Sequence, residues 1–147
     1  MGLNISDKVV TRSPEETVLL GAKIGAELKK GDLIALSGDL GAGKTMLVKG
    51  IAKGLGIDDY MYVNSPSFVI LKEYRGREDL YHFDVYRLDE EGFSETLDHE
   101  KYFYGNGITV VEWACNIKGL LPDKYIEITA EHGKKEKERI FKIKEHV

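Results

Sequence analysis

Leu33-Ile34-Ala35-Leu36-Ser37 followed by Gly38-Asp39-Leu40-Gly41-Ala42-Gly43-Lys44-Thr45 is the stretch that decides the fold of this 147-residue chain. The first part is a short apolar run bounded by turn formers, the pattern of a strand buried on both faces. The second fits G-x-x-x-x-G-K-[ST] at Gly38, Gly43, Lys44 and Thr45. Glycines let the backbone turn tightly so that successive N–H groups face inward, and the helix that follows adds the positive end of its dipole. Together they form a cradle for a polyphosphate. In such a cradle Lys44 reaches the β- and γ-phosphates, and the Thr45 hydroxyl holds magnesium. Residues 38–46, Gly38 through Met46, are therefore the expected nucleotide-binding stretch.

Working outward, Leu47, Ile51 and Leu55 recur on one face of a helix that Gly56 ends. Upstream, Lys8 to Arg12 reads as a short edge strand. Ser13-Pro14-Glu15-Glu16 then starts a helix: Ser13 caps, Pro14 takes a first-turn position where its missing N–H is harmless, and Glu16 closes a capping box. Leu20, Ile24 and Leu28 give this helix its apolar face, and Gly31 stops it. Downstream, Ser67 to Tyr74 and Leu80 to Arg87 read as two strands about a tight turn at 75–78, and Asp89 to Phe103 as helical. Ile108-Thr109-Val110-Val111-Glu112 is the second continuous β-branched run. Tyr125 to Ala130 and Arg139 to Lys144 alternate polar and apolar residues around His132-Gly133-Lys134, as an antiparallel hairpin with one wet face does. The expected architecture is a single α/β domain over 1–147, a three-layer fold with a small parallel core sheet and antiparallel edge strands.

Composition excludes several classes. Hydrophobic residues make up 42% and charged residues 31%, the balance of a packed globular chain rather than a disordered one. The 21 basic and 25 acidic residues give a net charge of -4, which removes the electrostatic footprint of a protein that grips nucleic acid by itself. No apolar run suggests a membrane span, and the first residues lack the pattern of a signal peptide, so a cytoplasmic protein is expected. The single cysteine, Cys115, excludes an internal disulfide and reads as a small buried apolar residue.

A phosphate loop needs a carboxylate for its metal, usually at the carboxyl end of a neighbouring parallel strand. Glu112 ends the wholly apolar run and is preferred for this role. Asp84 ends a strand of mixed polarity. It either supports the metal site from behind, positions the attacking water, or forms a surface ion pair with Arg87. Ser67 lies in the loop where related folds place a hydroxyl that senses the γ-phosphate, although serine is also a common turn former. Trp113 either packs the site or stacks on a ligand. His82, with no partner at ligand spacing, reads as a structural histidine, and Lys134 to Arg139 as a solvated charged face.

Taken together, GDLGAGKT (38–45), NSPSF (64–68), YHFDVYR (81–87) and VEWA (111–114), in this order, resemble the bacterial TsaE family, also called YjeE. The resemblance runs from Ser13-Pro14-Glu15-Glu16-Thr17 to the C-terminal hairpin. It implies a small P-loop ATPase that uses ATP and Mg2+ and is needed to make threonylcarbamoyladenosine next to the tRNA anticodon. Such a protein acts with the TsaD–TsaB complex and does not transfer the group itself. The resemblance makes Thr45 and Glu112 the magnesium ligands, Asp84 a residue required for hydrolysis, Trp113 part of the nucleotide site, and Thr11 and Arg139 nucleotide contacts. The family usually has Thr in Ser-Pro-Thr-Phe, and this chain has Ser67, which keeps the hydroxyl and loses the methyl that stiffens its rotamer. With no basic stripe, contact with tRNA is expected only through partners. A GTPase would need a guanine-reading Asn-Lys-x-Asp, which does not occur. A small-molecule kinase, kept open by Arg75, Arg77 and Arg87, and a nucleotide-gated binding module are the alternatives.

Overall fold

The computed structural model describes residues 3–39, 41–64 and 70–147. Among them the elements run β1 (Lys8–Thr11), α1 (Pro14–Glu27), β2 (Leu33–Gly38), α2 (Lys44–Gly54), a 3-10 turn (Tyr60–Tyr62), β3 (Leu71–Tyr74) and β4 (Leu80–Asp84). Then come α3 (Glu90–Thr96), α4 (His99–Phe103), β5 (Ile108–Glu112), a 3-10 segment (Ala114–Leu120), β6 (Tyr125–His132) and β7 (Arg139–His146). All strands join one sheet in the order β1-β7-β6-β2-β5-β4-β3. The neighbours β6, β2, β5 and β4 run parallel. Antiparallel pairings of β3 with β4, β7 with β6 and β1 with β7 finish the two sides. This is the α/β fold expected, a parallel core with antiparallel edges.

Alternation along the central strands explains the layers. Ile34, Leu36, Val110, Ile126 and Ile128 point to one face and join a core with Ile24, Leu47 and Ile51 of α1 and α2. Leu33, Ala35, Phe83 and Val111 point to the other and pack with Phe93, Phe103 and Ile117. A strand covered on both sides must be apolar at every position, which is why β2 and β5 read as unbroken runs.

α1 and α2 approach so closely that glycine is required at their contact. A Cβ on Gly50 would run into the Val18 carbonyl oxygen and one on Gly21 into the Leu47 carbonyl oxygen. On an open helix face Gly→Ala stabilises by about 1 kcal/mol. Gly50→Ala should instead lower stability by about 1–3 kcal/mol, because the helices must part to admit the methyl. Urea unfolding of the variant checks the sign, and with it the contact that seats α2 and the loop preceding it.

The α1 start departs slightly from the expected capping box. The Ser13 hydroxyl accepts the Glu16 N–H at 3.1 Å, while the Glu16 carboxylate accepts the N–H of Arg12 at 2.9 Å, one residue before the cap. Three segments differ more. β4 stops at Asp84 rather than Arg87, because the Tyr86 N–H turns back to Asp84 Oδ1 at 3.0 Å. β3 begins at Leu71, after Ile70 in a left-handed conformation (φ 65°). Residues 89–103 form two short helices broken at Leu97, which is extended. In one continuous helix positions ten apart diverge by about 80° around the axis. The break lets both Phe93 and Phe103 meet the Phe83 ring, each at 5.7 Å between centroids.

The hairpin is also more central than its alternation suggests. β6 pairs in parallel with β2 from Ile34↔Ile126 to Gly38↔Ala130, and only β7 faces outward from it. Its turn spans 133–138, closed by the Gly133 N–H bonding to the Glu138 carbonyl at 2.8 Å. The Gly38↔Ala130 pairing carries that turn to the phosphate loop.

Candidate functional site

The carboxyl ends of β2, β4 and β5 open onto a cavity of about 500 Å³. Open parallel sheets bind ligands at this edge. Gly41, Gly43, Lys44, Thr45 and Met46 form one wall. Gly43 takes φ 98°, a left-handed value that suits glycine, and serves as the N-cap of α2 without a side chain to cap the first turn. A helix start of this kind presents N–H groups and a positive dipole end to an anion. Lys44 is 6% exposed. Its ammonium donates to the Gly38 carbonyl at 2.6 Å and lies 4.3 Å from the centroid of the Trp113 ring. Ala42 points away into the core, and Asp39 is exposed outside the cavity lining. Leu40 lies outside the described residues, and so does Ser67.

Asp84 and Glu112 are register partners on the parallel strands β4 and β5, so both side chains leave the same face at the cavity edge. Glu112 is 3% exposed, a costly place for a carboxylate without a donor. The donor is His82, whose Nε2 lies 2.6 Å from Glu112 Oε2. His82 is structural in the sense expected, with a specific partner that its sequence spacing did not reveal. Asp84 sits in a turn held from two sides. Its Oδ1 accepts the Tyr86 N–H, and the Asn116 side-chain amide donates to the Val85 and Tyr86 carbonyls at 3.0 and 3.1 Å. Asp84 and Arg87 line the same cavity.

Trp113 follows Glu112 in a left-handed conformation (φ 64°, ψ 33°), strained for a residue with a Cβ. This turns its ring back over the loop, where it meets Tyr86 at 4.8 Å between centroids. Trp113 thus lines the cavity.

The remaining wall comes from both ends of the chain. Ser13, Pro14 and Thr17 contribute the start of α1, and Lys137 and Arg139 the hairpin. Arg139 donates through Nε to the Gly41 carbonyl at 3.0 Å and through Nη1 to the Glu136 and Glu138 carbonyls. It pins the hairpin to the phosphate loop. The segment 134–139 is therefore only partly a solvated face: Lys134 and Lys135 are exposed, while Lys137 and Arg139 border the cavity. Thr11 is buried behind this wall, its hydroxyl 2.7 Å from that of Thr17, and Thr17 lines the cavity. Cys115 is exposed, not buried, because Ala114 and Ile117 take the inward positions of the 3-10 segment.

Lys49, on α2, carries no signal in the sequence, since a helical lysine normally points to solvent. Here it is 7% exposed. Its ammonium donates to the Met61 and Val63 carbonyls at 2.6 and 2.5 Å and to Asn64 Oδ1 at 3.2 Å. Burial pushes its pKa below the usual lysine value. This clamp ties residues 61–64 to the helix that starts at the phosphate loop.

No cluster of three or more His, Cys, Asp or Glu side chains able to hold a metal occurs among the described residues. The donors at the cavity are instead the Thr45 hydroxyl and one or two carboxylates. That set fits magnesium, which binds few protein oxygens and completes its shell with water and phosphate. Among the described residues no helix is long and apolar enough to cross a membrane.

The chain is similar to known proteins over most of its length. The chain is 47% identical over 133 residues to the tRNA threonylcarbamoyladenosine biosynthesis protein TsaE of Bacillus subtilis, covering 89% of this chain and 82% of that protein. It is 40% identical over 123 residues to the protein of the same name from Treponema pallidum, covering 83% and 89%. The crystal structure of Bacillus subtilis YdiB superposes with a TM-score of 0.78 at 37% identity, covering 95% of this chain and 85% of that one. The model of the threonylcarbamoyl adenosine biosynthesis protein TsaE matches residues 11–141, and the chain belongs to the TsaE family.

Proposed function

We propose that this protein binds ATP with Mg2+ and hydrolyses it in the service of threonylcarbamoyladenosine synthesis on tRNA. The observation that carries the reading is the convergence of Lys44, Thr45, Asp84 and Glu112 on one cavity beside a glycine loop at a helix start. Lys44 and the first turn of α2 hold the β- and γ-phosphates. Thr45 and Glu112 hold the magnesium ion, which neutralises phosphate charge when bound. Asp84 orients a water molecule on the γ-phosphorus and takes its proton as the new P–O bond forms. The bond to the bridging oxygen breaks, and ADP leaves with that electron pair. Trp113 and Tyr86 close one side of the cavity, and the start of α1 with the hairpin closes the other.

Group transfer to tRNA belongs to partners in this reading, the TsaD–TsaB complex, with tRNA met only through them. A net charge of -4 supports this division of labour, and a role on tRNA supports a cytoplasmic location. Glu112→Ala provides the test of the metal assignment. Wild-type protein should bind ATP more tightly as magnesium is added, and Glu112→Ala should lose most of that dependence. Calorimetric titration at fixed ATP and varied Mg2+ reads it directly, and an undiminished magnesium dependence removes Glu112 from the metal site.

A further inference from the structure

We infer that His82 is the positioning residue that fixes the Glu112 carboxylate so that only one of its oxygens is presented to the metal–nucleotide complex. This rests on the reading of Glu112 as the carboxylate that holds magnesium. His82 is fully buried and lines no part of the cavity, whereas Glu112 does. Register explains the contact. His82 pairs with Val110 and Asp84 with Glu112, so His82 lies one step deeper on the same face and reaches diagonally to the underside of the carboxylate.

The hydrogen-bond pattern assigns the tautomer. His82 Nε2 lies 2.6 Å from Glu112 Oε2, while the buried Nδ1 has no hydrogen-bond partner. A carboxylate only accepts, so Nε2 carries the proton. Nδ1 then keeps a lone pair in an apolar setting, a smaller penalty than stranding a buried N–H there. Oε2 is committed to the imidazole, and Oε1 is the oxygen left for the cavity. An apolar side chain at 82 would leave Oε2 buried without a donor, and the carboxylate would rotate to find one. Core packing alone gives no reason for an imidazole in this place. An outer partner that orients a metal-holding group typically contributes 10–100-fold to metal affinity.

The experiment titrates Mg2+ against ATP binding by calorimetry for wild type, Glu112→Ala, His82→Phe and His82→Gln, with thermal melts as the folding control. His82→Phe should need about 10–100-fold more Mg2+ for the same gain in ATP affinity, with magnesium-free ATP binding unchanged. The Gln side-chain amide places its donor near the Nε2 position, so His82→Gln should recover most of the loss. A wild-type magnesium dependence in His82→Phe overturns the inference, and so does a His82→Gln response equal to that of His82→Phe. If His82→Phe fails to fold, His82→Gln is compared with His82→Asn, whose donor falls at the Nδ1 position and cannot reach Oε2. Equal magnesium responses in that pair overturn the inference as well. The two levels of failure are distinct. If Glu112→Ala keeps its magnesium dependence, the metal reading of Glu112 falls and this inference with it; if Glu112→Ala loses the dependence and His82→Phe keeps it, only the role of His82 falls.

Discussion

Lys44→Ala should bind Mg-ATP at least about a hundredfold more weakly than wild type, with the fold intact. The magnitude follows from what the ammonium does: hydrogen bonds to charged groups contribute about 1.5–3 kcal/mol each, and two of them to the β- and γ-phosphates already reach that factor at their low end. The location favours the upper end. Lys44 is 6% exposed, and its charge is flanked by the Gly38 carbonyl and the face of Trp113, so little water screens it. Folding should survive, because alanine is the best helix former and Lys44 opens α2 rather than filling its core. Lys44→Met, which keeps the stem and loses only the charge, separates packing from electrostatics. Calorimetry with a thermal melt in parallel decides it. Unchanged affinity in a folded Lys44→Met protein removes the phosphate-loop assignment.

What could be read from the sequence divides along a physical line. Gly38 to Thr45 was legible because the chemistry is local: one turn supplies the N–H groups, the dipole and the lysine. β2 and β5 were legible because strands buried on both faces must be apolar throughout, and Glu112 stood out as the charge ending such a run. Contacts that depend on distant pairing were not legible. Arg139 reaches the Gly41 carbonyl only because β6 adds to the edge of β2. Nothing in an alternating hairpin distinguishes a free-standing ribbon from one that extends a parallel core. His82 and Glu112 are thirty positions apart and meet through the β4–β5 register. The contact of Thr11 with Thr17 also depends on where α1 starts, which sets Thr17 in the cavity wall with Thr11 against it. Lys49 and Asn116 carried no sequence signal, since a lysine that satisfies carbonyls looks like any helical lysine and an asparagine that clamps a turn looks like any turn former. Cys115 misled because cysteine is usually buried, and a 3-10 segment rotates successive residues by more than an α-helix does.

Asp84→Asn should hydrolyse ATP about 10²–10⁴-fold more slowly than wild type while binding Mg-ATP almost normally, the range expected when a positioned proton acceptor is lost. Asparagine is the informative substitution because Asp84 has a second task. Its Oδ1 accepts the Tyr86 N–H, and the turn at 85–86 carries the ring that packs on Trp113. Alanine would remove that acceptor along with the carboxylate, whereas asparagine keeps a carbonyl oxygen for the N–H and loses only basicity. Glu112 cannot substitute as the base, because its Oε2 is engaged by His82 and the other oxygen is assigned to the metal. Nor does Arg139 offer a mobile cation to the γ-phosphate, since its Nε and Nη1 are bonded to the Gly41, Glu136 and Glu138 carbonyls. A supplied arginine raises turnover by roughly 10³–10⁵ in related phosphate-loop enzymes, so wild type alone should be slow and should speed up when the TsaD–TsaB complex is added. Asp84→Asn should remain inactive in that mixture, because a partner that excludes water or supplies charge cannot replace the missing proton acceptor. Steady-state phosphate release with and without TsaD–TsaB, alongside calorimetric ATP binding, reads both arms. Wild-type turnover in Asp84→Asn, with Asp84→Ala inactive, would make the residue a support for the Tyr86 turn and leave the proton to another group.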